Sequence, residues 1–129
     1  MKYQSTRGEA PVLEFSDALL AGLAVDGGLY VPAEFPTMTV SDLRSMAEMS
    51  YSEVATRVLE PFVSPSIDAN ELGNMIEDSY STFRHPDVVP VRQLPTEIGN
   101  DRYLAELYWG PTFSFKDVAL QLLGRLFEY

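Results

Sequence analysis

Apolar residues recur at helical spacing in several stretches of this chain, and Gly, Pro, Asn and Asp clusters punctuate them as turns. Residues 1–11 are polar and predict an extended start. Ser16 and Asp17 then open a short helix over Ala18–Ala24, with Ser16 as cap and Asp17 at the positive end. Asp26-Gly27-Gly28 predicts a turn, and Leu29-Tyr30-Val31 before Pro32 a short strand. After a loop bracketed by Pro32 and Pro36, Thr39–Met46 reads as a helix capped by Ser41. Ser50 or Ser52 opens another through Val54, Ala55, Val58 and Leu59, with Pro61 near its end. Asp68-Ala69-Asn70-Glu71 has the form of a capping box with Asp in the Ser/Thr role. The helix behind it presents Leu72, Met75, Ile76, Tyr80 and Phe83 on one face.

The pattern changes after Phe83. Arg84-His85-Pro86-Asp87 reads as a turn, and Val88–Leu94 as an extended segment broken by Pro90. Ile98–Arg102 reads as a turn between strands, and Arg102–Trp109 as a largely apolar, buried strand. Gly110-Pro111-Thr112 stops that strand. Ser114, with Asp117 three residues later, predicts the start of a helix whose apolar stripe is Phe115, Val118, Ala119, Leu122, Leu123, Leu126 and Phe127. A strand, a tight turn and an amphipathic helix form the first third of a βαβ unit. The expectation is that the natural protein continues beyond it; the alternative is that the last helix packs on the helices before it.

Composition narrows the function classes. With 19 acidic against 9 basic residues the net charge is −10, and no basic cluster offers a face to nucleic acid or anionic membrane. The absence of cysteine excludes a disulfide scaffold, a thiolate nucleophile and Cys-based zinc sites. The first residues carry no apolar stretch of the secretory kind, and no apolar run approaches a membrane span. The sole histidine, His85, sits in a loop and reads as a structural residue rather than a metal ligand. These features suit a cytoplasmic, metal-free protein.

One segment carries chemistry. In Gly110-Pro111-Thr112-Phe113-Ser114-Phe115-Lys116-Asp117, a strand ends and Lys116 falls in the first turn of the next helix. The positive helix end disfavours an ammonium relative to a neutral amine, and Phe113 and Phe115 can supply apolar walls. A neutral lysine amine attacks aldehydes to form a Schiff base. A solvated surface lysine is the plain alternative. The segment is not a phosphate-binding P-loop, because Asp117 stands where that motif needs Ser or Thr.

Gly110–Gly124 resembles the lysine segment of threonine synthases, a family of pyridoxal-phosphate (PLP) enzymes. Tyr3-Gln-Ser-Thr-Arg-Gly8 and Gly22-Leu-Ala-Val-Asp-Gly-Gly-Leu-Tyr-Val-Pro32 resemble two further segments of the same family, in the same order. The resemblance implies that the full-length enzyme converts O-phospho-L-homoserine and water to L-threonine and phosphate, a lyase reaction of threonine biosynthesis. It implies that Lys116 is the Schiff-base lysine, both catalytic and cofactor-binding. The fold it implies is α+β: an N-terminal, mainly helical domain with short strands at residues 1–95, then at 96–129 the first strand–turn–helix of an α/β PLP-binding domain. Asp117 can help orient the lysine, while Thr112 and Ser114 read first as turn and capping residues. Ser5-Thr6-Arg7 has groups suited to an anion but reads first as a structural anchor. The family's Gly-rich phosphate loop is absent from these residues, and Gly99-Asn100 does not resemble it. The 129 residues alone are therefore expected to be inactive and to bind PLP weakly or not at all. The expected partners are the substrate and the rest of the same chain. Two rival readings are a non-catalytic acidic interaction domain derived from the family, and another PLP enzyme of the same fold type, such as a threonine deaminase.

Overall fold

A computed structural model describes residues 1–99 and 101–129. Helix and strand are mixed, as the sequence predicts. In chain order the elements are strand β1 (Lys2–Ser5), β2 (Leu13–Glu14), helix α1 (Phe15–Ala21), β3 (Tyr30–Pro32), α2 (Val40–Ser45), α3 (Tyr51–Val63), α4 (Ala69–Tyr80), β4 (Val91–Gln93), a 3₁₀ turn at Thr96–Ile98, β5 (Tyr103–Ala105) and α5 (Asp117–Glu128). The turn predicted over Ile98–Arg102 includes Asn100, which lies outside the described residues. Two compact units emerge, one of residues 1–49 and 53–74, the other of residues 50–52 and 75–129.

The first unit is built on a three-stranded antiparallel sheet in the order β2-β1-β3, with Tyr3 opposite Leu13 on one side and Pro32 on the other. Pro32 is tolerated because β3 is an edge strand, where a missing N–H costs no ladder bond. Lys2 and Glu14 face each other across β1 and β2 and form an ion pair of 2.5 Å. Tyr3 donates its hydroxyl to the Phe62 carbonyl at 3.0 Å and packs its ring 5.9 Å from Phe15. Ala18, Ala24, Met46, Val63, Ile67 and Leu72 are buried here.

Two helix starts differ from the sequence reading. α1 begins at Phe15 with Glu14 at the cap position and no side-chain cap, so Ser16 lies inside the first turn. α2 is capped by Thr39, not Ser41: the Thr39 hydroxyl accepts from the Asp42 amide, and Asp42 accepts from the Thr39 amide at 2.8 Å. Both residue types cap well, and the choice fell to the one with an acid three residues on. Asp68 does cap α4, but its carboxylate takes the Asn70 amide at 2.9 Å rather than reciprocating with Glu71. Leu72 and Ile76 are fully buried on α4, each burial stabilising by about 1.5–3 kcal/mol.

In the second unit, Tyr80 packs edge-on against Tyr51 at 4.9 Å and Phe83 at 5.4 Å, and donates its hydroxyl to the Val118 carbonyl at 2.9 Å. Burial holds its phenol well above the ordinary tyrosine range, with Tyr51 adding to the effect. β4 and β5 pair antiparallel, Arg92 opposite Leu104. The strand predicted over Arg102–Trp109 is cut to three residues, and those three are exposed rather than buried. The cause is Pro90. The Glu106 amide donates to the Pro90 carbonyl at 3.0 Å, but Pro90 has no N–H to return, and the ladder ends there. Of the α5 stripe, Leu122 is buried, while Phe127 is 54% exposed.

Candidate functional site: the lysine turn

The site is assembled where the chain leaves β5. Glu106 turns inward and is 5% exposed. Its carboxylate accepts from the Trp109 indole at 2.9 Å and pairs with Arg92 at 3.1 Å. The Trp109 hydrogen bond first, with Tyr108, Arg92 and His85 behind it, holds this carboxyl below its ordinary 4.5 despite burial. The Trp109 ring lies 5.1 Å from His85, whose Nδ1 accepts from the Asp87 amide at 3.1 Å. The Arg84 amide donates to the Trp109 carbonyl at 2.9 Å. The chain thus reaches Gly110 on a fixed path.

The turn that follows closes on Asp117, which is 4% exposed. Its carboxylate accepts from the Thr112 amide at 2.8 Å, from the Thr112 hydroxyl at 2.8 and 2.9 Å to its two oxygens, and from the Gln121 side-chain amide at 3.3 Å. Burial alone would raise this carboxyl. The donors on Thr112, Gln121 and Ser114 outweigh it and hold the group below its ordinary 3.8. Gly110 lies against the same side chain: a Cβ there would fall 2.4 Å from both Cβ and Oδ2 of Asp117. Only glycine fits that contact.

Inside the turn, Phe113 has a φ of 61°. A left-handed backbone at a non-glycine residue costs on the order of 1–2 kcal/mol, and such strain collects at functional sites. The Arg84 guanidinium sits 4.0 Å over the Phe113 ring, and the Phe113 amide donates to the Gly110 carbonyl at 3.2 Å.

Lys116 stands at the cap position of α5, one residue before the first helical turn in which the sequence places it. Its backbone is held at both ends. The amide donates to the Ser114 hydroxyl at 3.3 Å, and the carbonyl accepts from the amides of Ala119 and Leu120 at 3.1 and 2.8 Å. Its side chain is exposed, and among the described residues its Nζ makes no hydrogen bond or ion pair. Phe113 and Phe115, read from sequence as walls, are 63% and 65% exposed. Ser114 does not form the reciprocal capping box with Asp117: its hydroxyl accepts from the Lys116 amide, not from that of Asp117, and the Asp117 side chain extends back to Thr112. Sequence reasoning missed Gly110 as a steric necessity and Arg84 as a neighbour of the turn, since neither depends on local spacing.

The other residues singled out by sequence are placed elsewhere. Ser5 donates to Asp26 at 2.8 Å, Thr6 accepts from the Leu29 amide at 3.0 Å, and Arg7 donates to the Asp26 carbonyl at 3.0 Å. The segment is an anchor for the Asp26-Gly27-Gly28 turn, with its hydroxyls already engaged. A separate cavity of about 290 Å³ in the second unit is lined by Tyr51, Glu77, Tyr80, Phe83, His85 and Val88 among others, and Lys116 does not line it. Among the described residues no set of His, Asp and Glu gathers as a metal site, and no helix is long and apolar enough to cross a membrane.

A strand–turn–helix joint that pins a lysine's backbone and leaves its amine unengaged is an amine-presenting element, of use to an enzyme that captures a carbonyl compound. A sequence profile described as "Threonine synthase N terminus" matches residues 2–80. The chain is 50% identical over 129 residues to a threonine synthase of Pseudomonas aeruginosa, covering 100% of this chain and 27% of that protein. Among solved structures it resembles a PLP-bound threonine synthase from Brucella melitensis at a TM-score of 0.93 and 52% identity, over 100% of this chain and 27% of that one. A yeast threonine synthase structure gives a TM-score of 0.89 at 38% identity, over 99% of this chain and 26% of the other. The chain belongs to the threonine synthase family and corresponds to its N-terminal region. It spans about a quarter of the length of these relatives.

Proposed function

We propose that this chain is the N-terminal part of a PLP-dependent threonine synthase, which converts O-phospho-L-homoserine and water to L-threonine and phosphate. We also assign residues 1–95 to its N-terminal domain and 96–129 to the start of its catalytic domain. The observation that carries the reading is the likeness over the whole chain, lysine turn included, to a protein described as PLP-bound.

The lysine turn fits the cofactor's aldehyde: a primary amine with no competing partner stands on a backbone fixed at N–H and C=O. When bound, PLP supplies an electron sink for carbanion chemistry. Lys116 Nζ is the attachment atom and the proton carrier of the reaction. Asp117, Thr112 and Gly110 set the turn from which it projects. No Gly-rich phosphate cradle occurs in these 129 residues, so they are expected to be inactive and to hold PLP weakly by themselves. The site of action is expected to be the cytoplasm.

The test uses the full-length natural protein. After incubation with PLP and borohydride reduction, a pyridoxyl group is expected on the Lys116 peptide by mass spectrometry. Lys116→Ala is expected to remove the label and lower phosphate release from O-phospho-L-homoserine by about 10²–10⁴-fold or more. A full-length protein that carries no label on Lys116, or a Lys116→Ala variant with undiminished turnover, overturns the reading.

A further inference from the structure

We propose that Asp117 is a positioning residue: through Thr112 it holds the 112–116 turn with Phe113 in its left-handed conformation and so sets the direction in which Lys116 presents its amine to the cofactor. The proposal rests on the assignment of Lys116 as the attachment point.

The geometry separates this role from a simple helix cap. A cap satisfies amides of its own first turn. Asp117 instead reaches back five residues, and its carboxylate takes two donors from the single residue Thr112. Its own backbone amide donates to the Ser114 carbonyl at 3.0 Å, so side chain and main chain close the turn at two points. Between those points lies Phe113 at a φ of 61°. A phenylalanine leaves that region readily once its neighbours release it, because a lower-energy conformation is available to any residue with a Cβ. Relaxation at Phe113 would rotate everything behind it, and Lys116 is three residues on.

Asp117 does not act on the amine directly. Among the described residues Nζ forms no ion pair, with Asp117 or any other acid. A neutral amide is a weaker substitute for the carboxylate: an Asn keeps one acceptor oxygen for the Thr112 amide, and its NH2 fits only if the Thr112 hydroxyl and the Gln121 amide turn to accept from it. Asp117 is buried and packs directly against Gly110, where a Cβ would fall 2.4 Å from its Oδ2.

The experiment compares full-length wild type with Asp117→Asn, Thr112→Val and Thr112→Ser. The measurements are the rate at which PLP attaches to Lys116 in cofactor-free protein, trapped by borohydride and located by mass, and the separate values of kcat and KM. Near-ultraviolet circular dichroism monitors folding. Asp117→Asn and Thr112→Val are expected to slow attachment and lower kcat by about tenfold to a hundredfold while KM moves little, as a misplaced reacting group does. Thr112→Ser keeps the amide and hydroxyl and is expected to retain most of the wild-type rate. Wild-type attachment and kcat in both Asp117→Asn and Thr112→Val would reduce Asp117 to a structural residue. If Asp117→Asn does not fold, Thr112→Val decides on the same terms. A wild type without label on Lys116 overturns the functional reading instead, and that outcome is distinct from unchanged rates in labelled variants.

Discussion

Gly110 and Gly28 show how single residues hold this chain to one path. Each occupies a place that a methyl group would contest: a Cβ at Gly28 would lie 2.2 Å from the Ser5 hydroxyl, and one at Gly110 would lie 2.4 Å from the Asp117 carboxylate. The obstacle at Gly110 is a side chain tied down by hydrogen bonds, so it cannot swing aside freely. Gly110→Ala in the full-length protein is therefore expected to cost about 1–3 kcal/mol, the usual range for forcing an extra methyl into a packed site. A lowered urea midpoint with an unchanged slope would show it, and an unchanged midpoint would mean that the turn yields more easily than its hydrogen bonds suggest. The carboxylates of Asp117 and Asp26 belong to this scale too. At Asp26, burial pushes the carboxyl up, and donors from Gly28, Ser5, Glu9 and Ala10 outweigh it and leave the group below its ordinary 3.8.

At the scale of elements, the helix starts are decided by which hydroxyl finds a reciprocal partner. Thr39 has Asp42 three residues later, and the two satisfy each other's amides. Ser41 lies one residue inside the helix. Thr39→Ala is expected to lose about 1 kcal/mol of stability, and Ser41→Ala to stay within about 0.5 kcal/mol of wild type. Urea titration of the two variants checks the order, and equal losses would contradict the cap. Strand β5 shows the opposite case, where a partner removes structure. Its apolar run extends to Trp109, but Pro90 on the neighbouring strand ends the ladder at Glu106. Beyond it Glu106 turns inward, Leu107 and Tyr108 stay exposed, and the chain leads into the lysine turn.

At the scale of the whole molecule, the acid-side behaviour follows from carboxylates held by hydrogen bonds and ion pairs. Glu14, Asp26, Asp42, Glu106 and Asp117 all lie below their ordinary values. A carboxyl depressed in the folded state contributes stability that is present above its unfolded value and is lost as pH falls through the folded one. Stability is thus expected to hold down to about pH 5 and to decline progressively below about pH 4. The net charge of −10 relaxes over the same range and acts in the other direction, so the titration belongs at about 0.15 M salt, where screening limits that repulsion. The local reporters are the amide protons of Thr112 and Gly28, which donate to Asp117 and Asp26. Their chemical shifts should titrate with midpoints below 3.8, and midpoints at or above that value would show that burial wins.

The sequence by itself determined where the helices lie, because their apolar positions repeat at helical spacing, but not where each begins: α1 has no side-chain cap and Lys116 stands at the cap position of α5. It also determined the turn at Asp26-Gly27-Gly28, which rests on local backbone chemistry. Tertiary structure decided what depends on partners far along the chain. The length of β5 was set by Pro90, which no reading of residues 102–109 contains. The work of Asp117 was set by a turn that brings Thr112 under its carboxylate, where spacing alone suggested Ser114. The anchoring of Ser5, Thr6 and Arg7 was set by Asp26 and Leu29, some twenty residues away, which engage groups that in isolation suit an anion. Periodicity reports which face of an element is apolar; only the folded chain brings a donor to its acceptor across that distance.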